Sequence, residues 1–252
     1  MMYRLATTDV KINNCLFVAE RRGFIREVLR RLAEVLDVPD DVQMLSLTEL
    51  TVAWVYGWTI SRGTPPPVAV VGGVRVDGGQ PGNPTRYVLH AYDRRRLALL
   101  GRDLIAPGAE IKILGNTAAL RAALPEDWSM YEPCHLMTVA FTHSRAEVPV
   151  PYAARIVVDG AALVGLIFDG NSEVASSAQL APSGRYGVID RVWTRPPDQR
   201  RGLGTALMAM LGNRALDAGL TTGLLSATAD GRALYSALGW TVCGELAGAF
   251  RS

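Results

Sequence analysis

The stretch Val192-Trp193-Thr194-Arg195-Pro196-Pro197-Asp198-Gln199-Arg200-Arg201-Gly202-Leu203-Gly204-Thr205-Ala206-Leu207 carries more information than any other in this 252-residue chain. A strand read from Tyr186 to Trp193 enters a turn rich in proline, arginine and glycine, and the turn enters a helix from about Gly204 to Ala218. Bare amide N–H groups from Arg200 to Thr205 would point at one spot, and the positive end of the helix would reinforce them. Gly202 and Gly204 let the backbone come close to a ligand and take torsions that a side chain forbids. Such a turn is an anion site suited to a pyrophosphate. Two glycines alone are weak evidence, because many ordinary turns contain them.

Working outward, a strand is expected around Leu224, a helix near Gly231 to Leu238 and a last strand from Trp240. Upstream, Ala154 to Val158 and Leu163 to Phe168 flank Asp159-Gly160 as a hairpin, and the polar stretch Asp169 to Gly184 reads as loop. Glu147-Val148-Pro149-Val150-Pro151 reads as an extended connector. Before it come strands at Val68–Val76, Arg86–Ala91, Ile111–Leu114 and Leu136–Phe141, with helices at Asp93–Ile105 and Thr117–Leu124. A first helix is expected over Gly23–Leu36, and Ser46 with Glu49 reads as a capping box opening a second that ends at Gly63.

The central string as a whole resembles the signature of the GNAT acyltransferases: glutamine or arginine, two residues, glycine, one residue, then glycine or alanine. Gln199, Gly202 and Gly204 fill it, and Thr194 and Pro196 also match family positions. A second stretch, Gly231-Arg232-Ala233-Leu234-Tyr235-Ser236-Ala237-Leu238-Gly239-Trp240, is similar to the family's last helix and the turn after it. Residues 145–252 are identified on these two motifs as a catalytic acetyl-CoA-binding GNAT domain. The resemblance implies an α/β fold (α+β by some schemes), with a mixed, mostly antiparallel sheet flanked by helices. It implies an N-acetyltransferase that moves acetyl from acetyl-CoA to a primary amine of a small molecule by direct attack on the thioester.

The resemblance also assigns roles. Backbone groups of Val192, Trp193 and Thr194 would meet the pantetheine arm, and the Val192 N–H would hold the oxyanion. Gln199, Arg200, Arg201, Gly202, Leu203, Gly204 and Thr205 would form the phosphate loop. Tyr235 would be the general acid to the departing thiolate. Thr228 stands where the family often has asparagine and keeps one hydroxyl for the coenzyme. Asp190 is the candidate base, because strand alternation puts it on one face with Val192; ordered water is the alternative, as is an Asp190 that only pairs with a cation. A protein lysine or N-terminal acetyltransferase, or a non-catalytic acyl-CoA-binding sensor, are the competing functions.

The order of elements before residue 144 parallels the later half, but only Tyr92 separates the strand ending at Ala91 from the helix starting near Asp93, so no phosphate cradle forms there. Residues 1–144 are therefore read as a degenerate GNAT-like or accessory domain that walls the acceptor pocket, giving two GNAT-like halves in all. A single enlarged domain is the competing organisation. Trp128, Tyr131 and Glu132 are read as core and surface residues, with an acceptor wall as the alternative.

Composition excludes more than it selects. With 26 basic and 24 acidic residues the net charge is +2, too little for a nucleic-acid or membrane partner. Lys11 and Lys112 are the only lysines, which fits a GC-rich bacterial genome. Cys15, Cys134 and Cys243 lack paired spacing, and His90, His135 and His143 lack partners at ligand spacing, so no metal is expected. Arg94-Arg95-Arg96 reads as a solvated helix face. The expectation is a cytoplasmic protein with a small-molecule amine acceptor; a homodimer is left open.

Overall fold

The computed structural model describes residues 42–78 and 85–252, so Cys15 and the helix expected over Gly23–Leu36 lie outside the described residues. The first described helix, α1, spans Val42–Arg62. It does not open at Ser46: residues 42–45 contain neither glycine nor proline to stop a helix, and the expected capping box falls inside it. Strands β1 (Val68–Val70), β2 (Gly73–Val76) and β3 (Arg86–Leu89) follow. Then come α2 (Arg94–Asp103), β4 (Glu110–Leu114), α3 (Thr117–Ala123), β5 (Trp128–Met130) and β6 (Cys134–Ala140). The rest is β7 (Ala153–Asp159), β8 (Ala162–Phe168), β9 (Val174–Ser183), β10 (Tyr186–Thr194), α4 (Leu203–Asp217), β11 (Thr222–Ala227), α5 (Ala229–Ala237) and β12 (Thr241–Arg251).

All of the named strands join one sheet in the order β1-β2-β3-β4-β12-β6-β11-β10-β9-β8-β7, with β5 added on β12. Among the described strands only β3–β4 and β10–β11 pair in parallel, each pair joined through a helix. The arrangement has an internal symmetry. The series β3, α2, β4, α3, β6 repeats as β10, α4, β11, α5, β12, and the last strand of each series leaves its own parallel pair. Strand β6 lies between β11 and β12, and β12 lies between β4 and β6.

Helix α1 crosses one face of this sheet. Its Leu50, Ala53, Trp54, Val55 and Trp58 pack on Val74, Val76, Val88, Leu136, Val188, Leu224 and Leu246 from six strands. Helix α4 covers the other face of the later strands through Leu203, Ala206, Leu207 and Leu211, and Leu97 and Leu120 of α2 and α3 cover the earlier ones. Each fully buried leucine of this kind contributes about 1.5–3 kcal/mol.

The stretch Asp169 to Gly184, expected as loop, instead holds the ten-residue β9. Serine and alanine are poor strand formers, yet Ala175, Ser176, Ala178 and Ala181 are buried with helices on both faces, where small side chains let α1 and α4 come close. Trp128–Met130, for which no strand was expected, pairs with β12 as β5. No described helix is long and apolar enough to cross a membrane.

Candidate functional site

Strands β10 and β11 part early. They pair only over Tyr186, Gly187 and Val188, opposite Thr222, Gly223 and Leu224, yet β10 continues to Thr194 and β11 to Ala227. Backbone groups that a full ladder would use are left along the gap. On its other side β10 remains paired with β9, with one extra residue between Asp190, opposite Gln179, and Trp193, opposite Ser177. Arg191 takes φ 52° in this bulge. Arg195 N–H donates to Ala175 O at 2.8 Å, so alternation turns the backbone groups of Val192 and Thr194 away from β9 and into the gap.

The bulge corrects one expectation. Asp190 and Val192 do not share a face, because the extra residue resets the alternation: Val192 packs with Ile189 against the α4 core, while Asp190 faces α1. There the carboxylate accepts Arg62 Nε at 3.0 Å and Arg62 Nη2 at 3.3 Å, and Ser61 Oγ lies 3.1 Å from Oδ2, its one proton shared with Gln179 Oε1 at 2.5 Å.

The end of β10 is fastened by side chains. Buried Ser176 donates its hydroxyl to Trp193 O at 2.8 Å, which leaves Thr194 Oγ1 to donate to Ser176 Oγ at 2.7 Å. Gln199 turns back, its Nε2 donating to Thr194 O at 3.2 Å. Arg195 joins three carboxylates: Asp169 at 2.5 Å, Asp198 at 2.6 Å and Glu173 at 2.8 Å. The guanidinium holds the Asp198 and Asp169 carboxyls below the usual carboxylate range, helped at Asp198 by the Tyr152 hydroxyl donating at 2.7 Å. These clamps fix the path of the turn.

The turn then opens onto α4. Arg200 at φ 60° and Gly202 at φ 80° are both left-handed, and Gly202 caps the helix with no side-chain bond. The first bond of the helix runs from Ala206 N–H to Gly202 O at 3.0 Å, so the N–H groups of Leu203, Gly204 and Thr205 precede the ladder. Buried Leu203 anchors the turn, and Arg200, Arg201 and Thr205 are exposed around it. A Cβ on Gly202 would stand 4.0 Å from its nearest neighbour, Pro149 Cγ, and one on Gly204 would come within 3.3 Å of Leu234 Cδ2 on α5. An uncapped helix start with open space before it fits the pyrophosphate of coenzyme A. Helix α2, the counterpart in the earlier series, does not: its first turn is capped by Asp93, whose carboxylate accepts Arg96 N–H at 2.8 Å. Strand β3 is also paired with β4 along its whole length.

Tyr235 of α5 is 8% exposed, with its ring 6.0 Å from that of Trp240. Burial, with the Asp190 charge adding to it, pushes its phenol up to about 12. Thr228 caps α5, its Oγ1 accepting Gly231 N–H at 3.2 Å, and its own hydroxyl hydrogen stays available to donate. Trp193 is 48% exposed beside the gap. Trp128 belongs to the core, its Nε1 donating to Gly101 O at 2.9 Å. Among the described residues no group of three histidine, cysteine, aspartate or glutamate side chains could hold a metal ion. Arg62, Ser176 and the carboxylates on Arg195 carry no sequence signal of a role, since their partners lie on distant elements.

Comparison with known proteins matches residues 119–240 to the acetyltransferase (GNAT) family. No curated protein matches the chain. Among solved structures, a GCN5-related N-acetyltransferase from Kribbella flavida is similar at 13% identity and TM-score 0.58, over 80% of this chain and 95% of that one. A GCN5-related N-acetyltransferase-like protein from Streptococcus suis is similar at 16% identity and TM-score 0.57, over 90% and 100%. A tandem GNAT protein from the clavulanic acid biosynthesis pathway is similar at 13% identity and TM-score 0.50, over 85% and 96%.

Proposed function

We propose, since the chain belongs to the GNAT superfamily, that it is an N-acetyltransferase using acetyl-CoA and a small-molecule primary amine. The observation that carries this reading is the gap between β10 and β11 beyond Val188, which leads to the uncapped start of α4. Acetyl-CoA supplies an acetyl group already activated as a thioester. The N–H groups from Arg200 to Thr205 balance the charge of its phosphates, and the backbone of Val192 and Thr194 pairs with the pantetheine arm. The Val192 N–H polarises the carbonyl that the amine attacks.

Tyr235 donates to the sulfur as the carbon–sulfur bond breaks. At about 12 its phenol stands some 3–4 units above an ordinary thiol, so complete proton transfer would cost on the order of 5 kcal/mol. The phenol therefore acts as a charge-assisted hydrogen-bond donor to the thiolate. The proton lost by the amine goes toward Asp190. Its Oδ2 accepts Arg62 Nε and its Oδ1 accepts Arg62 Nη2, and each oxygen keeps a lone pair for a further donor. A sensor would need no buried, protonated phenol at this point, which favours the enzyme. The two GNAT-like halves then divide the work: the later one holds the coenzyme, and the earlier one walls the acceptor.

Calorimetric titration with acetyl-CoA followed by thiol-release assays on a panel of amines tests the reading. Binding near one equivalent per chain with release on some amine is expected. Binding without release on any amine would favour the sensor, and no binding would overturn the reading altogether.

A further inference from the structure

The sheet face that carries Asp190 continues into the earlier strands, and its charges do not balance there. On β4, Glu110, Lys112 and Leu114 alternate onto this face, and Leu114 packs in the cluster under α1. Arg86 of β3 lies opposite Glu110 in register and binds it through two contacts of 2.6 Å. The guanidinium carbons of Arg86 and Arg62 lie 4.4 and 5.2 Å from the Trp58 ring, so Trp58 links the Arg86–Glu110 pair to the Arg62–Asp190 pair. Lys112 is the third cation of the group. Its Nζ sits 5.3 Å from the Tyr131 ring centre, and among the described residues it has no ion pair or hydrogen bond.

Among the described residues this group holds three cations and two carboxylates, with each arginine committed to one carboxylate. The unmatched charge falls on the ammonium of Lys112. A half-buried ammonium without a counter-ion costs stability, and an apolar side chain of the same length would pack there at least as well. Burial accordingly lowers the affinity of Lys112 for its proton, with Arg86 and Arg62 adding to the effect and Cys134 and Glu110 opposing it.

We propose that Lys112 recognises a carboxylate on the acceptor, so that the amine acetylated here is an amino-acid-like molecule carrying both groups. One surplus positive charge matches one carboxylate and falls short of a phosphate dianion. The inference rests on the transferase reading for the role of the site, and names its substrate class. It places substrate recognition on β4, in the earlier series of elements, while the thioester is held by the later one.

The test is direct binding to the coenzyme A-loaded protein of the common L-amino acids and their carboxamides, with wild type, Lys112→Met and Lys112→Arg. At least one amino acid is expected to bind ten-fold or more tightly than its carboxamide. Lys112→Met should erase that preference while its Tm stays level or rises, and Lys112→Arg should keep most of it. A lysine that merely supports the fold would instead lower Tm when replaced by methionine. Absence of binding by any amino acid, equal binding of acid and carboxamide, or an undiminished preference in Lys112→Met would each overturn the proposal. Thiol release is measured in parallel. Carboxylate-selective binding without release counts against the transferase reading and leaves this one standing; equal release from acids and carboxamides does the reverse.

Discussion

Arg62, the last residue of α1, holds Asp190 through both carboxylate oxygens, Nε to Oδ2 at 3.0 Å and Nη2 to Oδ1 at 3.3 Å. The pair joins α1 to β10, the strand that borders the gap. Asp190→Asn keeps the shape and removes the proposed proton acceptor. We expect it to lower kcat about 10²-fold and leave acetyl-CoA affinity unchanged. Steady-state kinetics with parallel calorimetry checks this, and an unaltered kcat would assign the proton to water alone.

Tyr235→Phe removes one hydroxyl from a buried ring. Turnover should fall by about 10² or more, with coenzyme affinity nearly intact, because in the proposed mechanism the hydroxyl meets the sulfur only as charge develops. Single-turnover rates separate the two effects. Equal activity in both proteins removes Tyr235 as the donor.

The same phenol should report on stability in alkali. Its folded value is raised to about 12 from an unfolded value near 10, so its contribution is complete below pH 10 and is lost as pH rises from 10 to 12. The loss for this residue is on the order of 3 kcal/mol. Urea midpoints at pH 9 and pH 11.5 should fall further in wild type than in Tyr235→Phe; equal falls would place the phenol nearer its ordinary value.

Gly204→Leu would drive a side chain toward Leu234 at the start of α4, where a Cβ alone already comes within 3.3 Å. Acetyl-CoA binding should fall below detection by calorimetry while the far-ultraviolet circular dichroism stays that of the wild type. Unchanged affinity would sink the phosphate-loop assignment.

Asp93→Ala removes the cap of α2 and should cost about 1 kcal/mol in urea unfolding. The titration should still show one coenzyme per chain. A second equivalent would mean that the cap carboxylate had been blocking an otherwise competent site.

The later half of the fold was legible because its signal is local. Gly202, Gly204 and Tyr235 sit in short motifs whose residue types answer backbone torsion and chemistry within a few positions. The bulge at Arg191 was not legible: its positive φ falls on an arginine, and no glycine or asparagine announces it. Strand β9 was missed because alanine and serine suit it only when α1 and α4 close on both sides, a condition set by residues far away in sequence. The cation group was invisible for the same reason, since Arg62 and Arg86 meet at Trp58, and Lys112 comes near them, only after three elements have packed.

The exchanged positions of β6 and β12 set a timetable for synthesis. Strand β4 gains its neighbour β12, and β6 gains both of its neighbours, only when residues beyond 221 have been made. The earlier elements therefore leave the ribosome with open strand edges and wait for about 100 further residues, some 5–20 seconds at ordinary elongation rates. During that interval they are exposed to wrong edge-to-edge pairing and to chaperones. A chain halted before β12 is an incomplete sheet, and this eleven-residue strand acts as the closing stitch between β4 and β6.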